Sequence, residues 1–392
     1  MIERILIPVI LLIVLSGWYL WLYRLRTVRR RAVALLCLVP SAVITIYTVY
    51  LAALPDFAPA KTTVLNVYLF LLGLVAVPQT LFALCSATGG LVRRLTHGRR
   101  NWGDVVGTLV VLLVWYVLVF GSFVGFNKVE VRHITYTSDN LPEAFDGYRI
   151  VHFSDVHLGT FDASRDDLPA RAVDIINAQK ADLIAFTGDL QNMRPSEIAP
   201  YEALLASLKA RDGVVSVLGN HDYAHYVKAS EAEKAANVRE HIAAHRRMGW
   251  TLLMNGHRTI RRGNDSIVVA GMENDGDGKR FSQAGDIGKT LAGVSDSAFV
   301  VMLEHDPSSW RRKILPQSRA QLTLSGHTHA MQFEVMDWSP ASFVYDEWGG
   351  VFYEGGRAIN VSTGLGGFIP FRFGVPGEIV VIELRRAGKQ TD

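Results

Sequence analysis

The stretch Tyr148-Arg-Ile-Val-His-Phe-Ser-Asp-Val-His157 sets a pattern that the rest of the chain repeats. An apolar run, Tyr148–Phe153, suits a strand buried on both faces. It stops at a serine and delivers an aspartate and a histidine two residues apart. The pattern returns four times downstream. Leu183–Thr187 ends at Gly188-Asp189, and Val214–Leu218 ends at Gly219-Asn220-His221-Asp222. Phe299–Leu303 ends at Glu304-His305, and Gln321–Leu324 leads to Gly326-His327-Thr328-His329. Helical patterns fill the gaps: an amphipathic helix over 167–179, a helix over 196–210 and a long polar helix over 229–248. Strands alternating with helices predict an α/β architecture. Ligands in such sheets bind beyond the carboxyl ends of the strands. Here five strand ends hold nearly all the unusual polar residues. The steps from Asp155 to Asp189, Asn220, His305 and His327 are 34, 31, 85 and 22 residues, so only the fold brings them together.

The donor types narrow the chemistry. Asp155, His157, Asp189, Asn220, His305, His327 and His329 offer carboxylate, imidazole and amide groups. That mixture suits divalent Mn, Fe or Zn, whereas Ca and Mg prefer shells made wholly of oxygen. Seven donors exceed what one tetrahedral ion needs. They suit two divalent ions about 3.5–4 Å apart sharing a bridging carboxylate. Such a pair clamps the attacking and leaving oxygens of a phosphoryl group and makes hydroxide from a bridging water at neutral pH.

In order and type, Asp155-x-His157, Gly188-Asp189, Gly219-Asn220-His221-Asp222, His305 and Gly326-His327-x-His329 resemble the motifs of the calcineurin-like metallophosphoesterase superfamily. The resemblance runs over about residues 130–385. It is closest to the membrane-attached bacterial branch, through Asn360–Leu365 and Arg372–Pro376. It implies a metallophosphoesterase-type β-sandwich flanked by helices. It also implies that Asp155, His157, Asp189 and His329 hold the first ion, and that Asp189 bridges to a second completed by Asn220, His305 and His327. His221 is similar to the family's histidine that stabilises the transition state and protonates the leaving oxygen. The implied reaction is in-line attack by metal-bridging hydroxide, without a covalent intermediate. One departure stands out. Many relatives of this branch have two glycines after Gly-His-x-His, and this chain has Ala330 and Met331.

The remaining candidates have plainer readings. Asp222 orients His221 or caps the local turn, with nothing in the sequence to choose between them. His152 reads as a packed core residue, and His225, His241, His245 and His257 as surface or helix residues rather than ligands. Glu273-Asn274-Asp275-Gly276-Asp277-Gly278 has the composition of a calcium loop but lacks the EF-hand spacing, and reads as a polar loop near the site mouth. Trp338, Tyr345, Trp348, Phe352 and Tyr353 read as core or membrane-interface packing, with a substrate wall as the sharper alternative.

The first third is of another kind. Among 392 residues, 49% are hydrophobic and 20% charged, which excludes a disordered chain. Residues 1–126 carry 11 Lys/Arg against 3 Asp/Glu, and residues 127–392 carry 29 against 34. The larger part therefore lacks the basic excess that nucleic acid requires. Four uncharged apolar runs, about 5–22, 32–54, 64–86 and 105–126, are long enough to cross a bilayer. Arg24, Arg26, Arg29, Arg30 and Arg31 follow the first run, and Arg93, Arg94, Arg99 and Arg100 follow the third, whereas the second loop has only Lys61. The positive-inside rule puts the two arginine loops in the cytoplasm. The expectation is a four-helix transmembrane domain, 1–126, in the inner membrane, followed by a catalytic domain, 127–392, facing the periplasm or the exterior. Runs without ionisable groups argue for an anchor and against a transporter. A site tethered beside a bilayer favours a lipid-linked phosphate. The alternatives are a phosphatase or nucleotide phosphodiesterase for soluble substrates, and a non-catalytic receptor with a relic hydrolase head. Cys37 and Cys85 provide no disulfide framework, and no obligate protein partner is inferable.

Overall fold

The computed structural model describes residues 13–19, 28–54, 62–161, 167–278 and 283–388. The chain divides into two compact units, Met1–Val124 and Gly125–Asp392.

The first unit is helical. It contains α1 (Val28–Ala52), α2 (Thr62–Leu95) and α3 (Trp102–Phe120). Thr63–Leu95 and Trp102–Gly125, of 33 and 24 residues, are long and apolar enough to cross a membrane. They contain the third and fourth apolar runs. The second run lies in α1, whose apolar part, Val39–Ala52, is shorter. The first run is helical over 13–19, and the rest of it lies outside the described residues, as do Arg24, Arg26 and Lys61. Glycine sets the approach of α2 to α3. A Cβ on Gly103 would lie 2.0 Å from the Cys85 carbonyl oxygen, and one on Gly107 would lie 3.0 Å from the Phe82 ring. Small residues at a helix crossing are how apolar helices pack in lipid, where burial gives no driving force between them.

The second unit is built from strands β1 (Val129–Ser138), β2 (Arg149–Phe153), β3 (Leu183–Phe186), β4 (Val214–Ser216), β5 (Thr251–Leu252), β6 (Gly256–Arg262), β7 (Asp265–Gly271), β8 (Phe299–Leu303), β9 (Leu322–Ser325), β10 (Gly350–Glu354), β11 (Arg357–Val361) and β12 (Gly377–Arg386). They form two six-stranded sheets, ordered β1-β12-β2-β3-β4-β5 and β10-β11-β9-β8-β7-β6. Side-chain alternation explains the layering. Ile150, Leu183, Ala185, Val215, Val301, Leu303, Leu322 and Leu324 join the core between the sheets. Their neighbours Val151, Phe153, Ile184 and Phe186 point the other way and pack with Ala172, Val173 and Ile176 of α4 (Asp167–Ala178) and with Ala244 of α5 (Glu231–Arg247). On the far side, Val300 and Met302 pack with Trp310 and Ile314. The result is the expected α/β sandwich with helices on its outer faces.

Some expectations need correction. The helix expected over 196–210 is broken into turns at Pro195–Glu197 and Ala199–Tyr201 and a short helix, Glu202–Leu205. Pro200 has no amide to donate and blocks a continuous helix there. His241 and His245 do lie on a helix, but they are fully buried rather than at the surface. His241 Nδ1 lies 2.9 Å from Gln191 Oε1, and His245 Nδ1 lies 2.9 Å from Ser216 Oγ. His152 is a buried core residue, held by Thr187 Oγ1 and Asn360 Nδ2. In the 273–278 loop, Asp275 is buried and paired with Arg312 at 2.8 Å and Lys313 at 2.7 Å, so its carboxylate is committed to structure.

Candidate metal centre

Strands β2, β3 and β4 run parallel, as do β8 and β9, so their carboxyl-end loops emerge together within each sheet. The two sets meet. Asp155 Oδ1 lies 3.2 Å from His329 Nε2, and His157 Nε2 lies 3.2 Å from the same nitrogen. Asp189 Oδ2 lies 3.6 Å from His157 Nε2 and 3.3 Å from His305 Nε2. Asn220 Oδ1 lies 3.0 Å from His305 Nε2 and 2.8 Å from His327 Nδ1. All seven residues singled out in the sequence thus converge. The histidines and aspartates among them, joined by His221, place donor atoms in the overlapping groups Asp155/His157/His329, His157/Asp189/His221 and Asp189/His305/His327.

The backbone is bent out of its usual range to achieve this. Asp155, His157, Asp189, His327 and His329 have φ of 53°, 51°, 59°, 73° and 51°. The left-handed region costs a non-glycine residue roughly 1–2 kcal/mol. Five such residues in one place mark a site where strain is maintained for function rather than stability.

The donor set fits a pair of cations. Burial drives the His157 ring well below its ordinary pKa and lowers that of His327, leaving lone pairs on both. His157 Nε2 and His329 Nε2 face one another, as do His327 Nδ1 and His305 Nε2 at 3.2 Å. A proton between two such nitrogens satisfies only that pair, whereas a cation also satisfies the adjacent carboxylates. Burial would raise the Asp155 and Asp189 carboxyls, but the facing imidazoles of His329 and His305 hold both below the usual carboxylate range. Burial would lower His305, yet the Asp189 carboxylate beside it raises it instead. Metal binding requires neutral imidazole and releases that proton.

Neighbours fix the ring orientations. His305 Nδ1 donates to the Thr187 carbonyl at 2.7 Å, turning Nε2 inward. His221 Nδ1 donates to the Asn192 carbonyl at 2.7 Å, and the ring stacks on Tyr226 at 4.4 Å. Asp222 reaches backbone amides rather than the His221 ring. It accepts from Gly219 N and Asp189 N at 2.8 Å and from Leu190 N at 3.1 Å, tying the β3 loop to the β4 loop. Burial and the nearby Asp189 push its carboxyl up to about 7. His225 and His257 stay outside the donor groups.

Two neighbours, Asn192 and Tyr226, escape the sequence reading, and a third, Tyr345, reads there only as part of an aromatic stretch. Asn192 holds His221, and Tyr226 OH accepts from Asn220 Nδ2 at 2.7 Å. Tyr345 OH lies 3.0 Å from His327 Nε2, so this member of the aromatic stretch borders the centre. Tyr226 stands six residues after Asn220. Only its nearness in sequence hinted at a role, whereas Tyr345 belongs to the stretch whose alternative reading is a substrate wall.

Comparisons agree with this picture. Residues 148–331 match the family model for calcineurin-like phosphoesterase. Residues 3–126 match a model described as "Probable Calcineurin-like phosphoesterase, transmembrane domain". The chain is 31% identical over 269 residues to an uncharacterized metallophosphoesterase, YkuE, of Bacillus subtilis, covering 66% of this chain and 86% of that one. It is 29% identical over 237 residues to a transmembrane protein with metallophosphoesterase domain from Danio rerio, covering 59% of this chain and about half, 51%, of that protein. Among solved structures, a dimetal phosphatase from Danio rerio aligns over 57% of this chain and 89% of that one, with a TM-score of 0.34 and 11% identity. With its ordered motifs gathered into one centre and a 31%-identical metallophosphoesterase matched over 86% of its length, the chain belongs to the calcineurin-like metallophosphoesterases, and it is a metal-dependent phosphoesterase preceded by a segment that matches a transmembrane-domain family.

Proposed function

We propose that the protein is a multi-pass membrane-anchored enzyme that cleaves phosphate mono- or diesters carried by lipids, with its catalytic unit on the periplasmic or outer face of the inner membrane. One observation carries the two-ion reading. A single oxygen, Asp189 Oδ2, lies within 3.6 Å of imidazole nitrogens from both halves of the centre, at His157 and His305. Asp155, His157, Asp189 and His329 would hold one divalent ion, and Asp189, Asn220, His305 and His327 the other. Bound there, two such ions (Mn, Fe or Zn) supply Lewis acidity and a nucleophile at neutral pH.

The chain's own residues do the rest. With Nδ1 committed to Asn192, His221 has Nε2 free for the reaction centre, and stacking on Tyr226 fixes the ring. In its imidazolium form it carries at Nε2 the proton that the leaving oxygen needs. Asp222 holds the loops carrying Asp189 and Asn220 in register. The outward orientation is supported by the arginines after the first and third apolar runs.

The test uses the full-length protein loaded in turn with Mn, Fe and Zn, against lipid-linked and soluble mono- and diesters. Wild type should hold about two ions per chain and lose turnover on chelation. Asp189→Asn should lose both ions together. One ion per loaded wild-type chain, or a variant that keeps one site intact, would overturn the bridging role. Preference for soluble esters would overturn the lipid substrate.

A further inference from the structure

Residues 331–344 carry exposed apolar side chains that ester hydrolysis leaves without a use. Among the described residues of 125–392, eight large apolar side chains are exposed, and six fall in this stretch: Met331, Val335, Met336, Trp338, Phe343 and Val344. Met336 is 95% exposed and Phe343 81%. Singly scattered apolar side chains are ordinary on a protein surface, but a concentration of them marks a face that meets another apolar phase.

The stretch is built rather than frayed. Val335 and Trp338 pair across a tight turn whose tip is Met336-Asp337, with φ of 51° and 59°. The Trp338 ring meets Phe343 edge-on, with centroids 5.7 Å apart. The base of the loop is pinned. Ser339 Oγ donates to Ala330 O at 2.6 Å, and Gln332 Nε2 donates to Ile369 O at 2.9 Å. His327 and His329 stand just before the stretch, and Tyr345, just after it, touches His327. The apolar tip and the metal centre therefore share one anchored loop.

The chemistry of the chain selects the occupant. Helices Thr63–Leu95 and Trp102–Gly125 are long and apolar enough to cross a bilayer, and only Phe126, Asn127 and Lys128 separate the second from β1. Three residues reach roughly 10 Å, so the start of β1 is tethered close to the end of that span. Residues 331–348 contain Glu334, Asp337, Asp346 and Glu347 and no Lys or Arg. Attraction to anionic headgroups is therefore not the driving force. Trp, Phe and Met at a protruding tip suit shallow insertion into the interface.

We propose that this loop inserts Met336, Trp338, Phe343 and Val344 into the bilayer surface and presents the metal centre to phosphate esters at headgroup depth. The substrate class is then a phosphorylated lipid, a conclusion that rests on the phosphoesterase reading of the centre.

The test uses full-length protein with Cys37 and Cys85 changed to serine and an environment-sensitive fluorophore on Met336→Cys, in phosphatidylcholine nanodiscs. Nitroxide placed high on the lipid acyl chain should quench this label at least about twofold more than the same label on Ser297→Cys, an exposed turn before β8. The Met336→Asp/Phe343→Asp variant should lose about tenfold or more of its turnover on phosphatidate in nanodiscs. Its turnover on nitrophenyl phosphate should stay within about twofold of wild type. A label at 336 no more quenched than at 297 overturns the proposal. So does protection from water without nitroxide quenching, in a particle holding two copies, which assigns the face to a second chain. Equal losses on both esters overturn it in favour of a structural role. If wild type hydrolyses neither ester with any metal, the phosphoesterase reading fails, and the quenching still decides where the loop sits.

Discussion

Two residues at adjacent positions are held in different ways. Asn220 offers Oδ1 to the space between His305 and His327, whereas His221 anchors Nδ1 on a carbonyl, the arrangement on which its proposed general-acid role rests. His221→Ala should therefore leave both ions bound and slow the reaction about 10²–10⁴-fold, the usual value of general-acid help. The loss should be smaller for nitrophenyl leaving groups, which need little protonation, and largest for alkyl ones. Elemental analysis beside initial rates checks this. A variant that sheds an ion would make His221 a ligand, as its place in the His157/Asp189 group would permit. The same scale explains the departure at Ala330 and Met331. Their φ values are 49° and 48°, the left-handed region that glycine occupies without cost. At these two positions the chain accepts roughly 1–2 kcal/mol of strain per residue. It gains in return a side chain, Met331, at the root of the exposed apolar loop.

At the scale of elements, the centre depends on how closely neighbouring loops approach. Gly188 has a φ of +94°, and a Cβ there would lie 2.4 Å from the Gly219 amide nitrogen. A Cβ on Gly326 would lie 2.1 Å from Ser154 Oγ and 2.2 Å from Asp155 Oδ2. The serine can rotate away, but the aspartate is fixed by its place among the donors. Gly326→Ala should cost about 1–3 kcal/mol through overpacking and displace the Asp155 carboxylate. The expected outcome is a lower melting temperature, weaker binding of the ion assigned to Asp155 and an unchanged circular dichroism spectrum. A variant with wild-type metal affinity would show that the two loops have room to part. Helix α5 serves the same junction from behind. His241 meets Gln191 and lies 3.5 Å from Asp222 Oδ1, so a helix read as polar surface contributes a buried polar brace.

For the whole molecule, the arginine pattern makes a prediction that the fold of either unit does not depend on. A reporter active only in the periplasm, fused after Asp392, should be active, and a cytoplasm-only reporter there should be silent. The reverse result would put the metal centre in the cytoplasm and point to intracellular esters. The two units differ in how they use apolar residues. In the second, Ile150, Leu183 and Val301 are fully buried between sheets. In the first, Leu109, Leu112, Leu113 and Tyr116 on α3 stay more than half exposed, as a helix facing lipid requires.

Local chemistry made much of this legible in the chain itself. Apolar runs that end in Asp, His or Asn announce buried strands with candidate donors at their tips. Long uncharged runs bounded by arginine announce membrane spans. Both follow from the cost of exposing apolar groups to water or burying charged ones in lipid, which any single segment must respect. The sandwich partner of each strand, the break at Pro200 in the expected helix and the burial of His241 and His245 were settled by packing between segments far apart in the chain. So were the roles of Asn192, Tyr226 and Tyr345, because a hydrogen bond across the centre leaves no periodic trace in sequence. The apolar tip at 331–344 is the clearest case. Its residue types read equally well as core, and only the tertiary structure, by leaving Met336 and Phe343 outside every core, showed which they were.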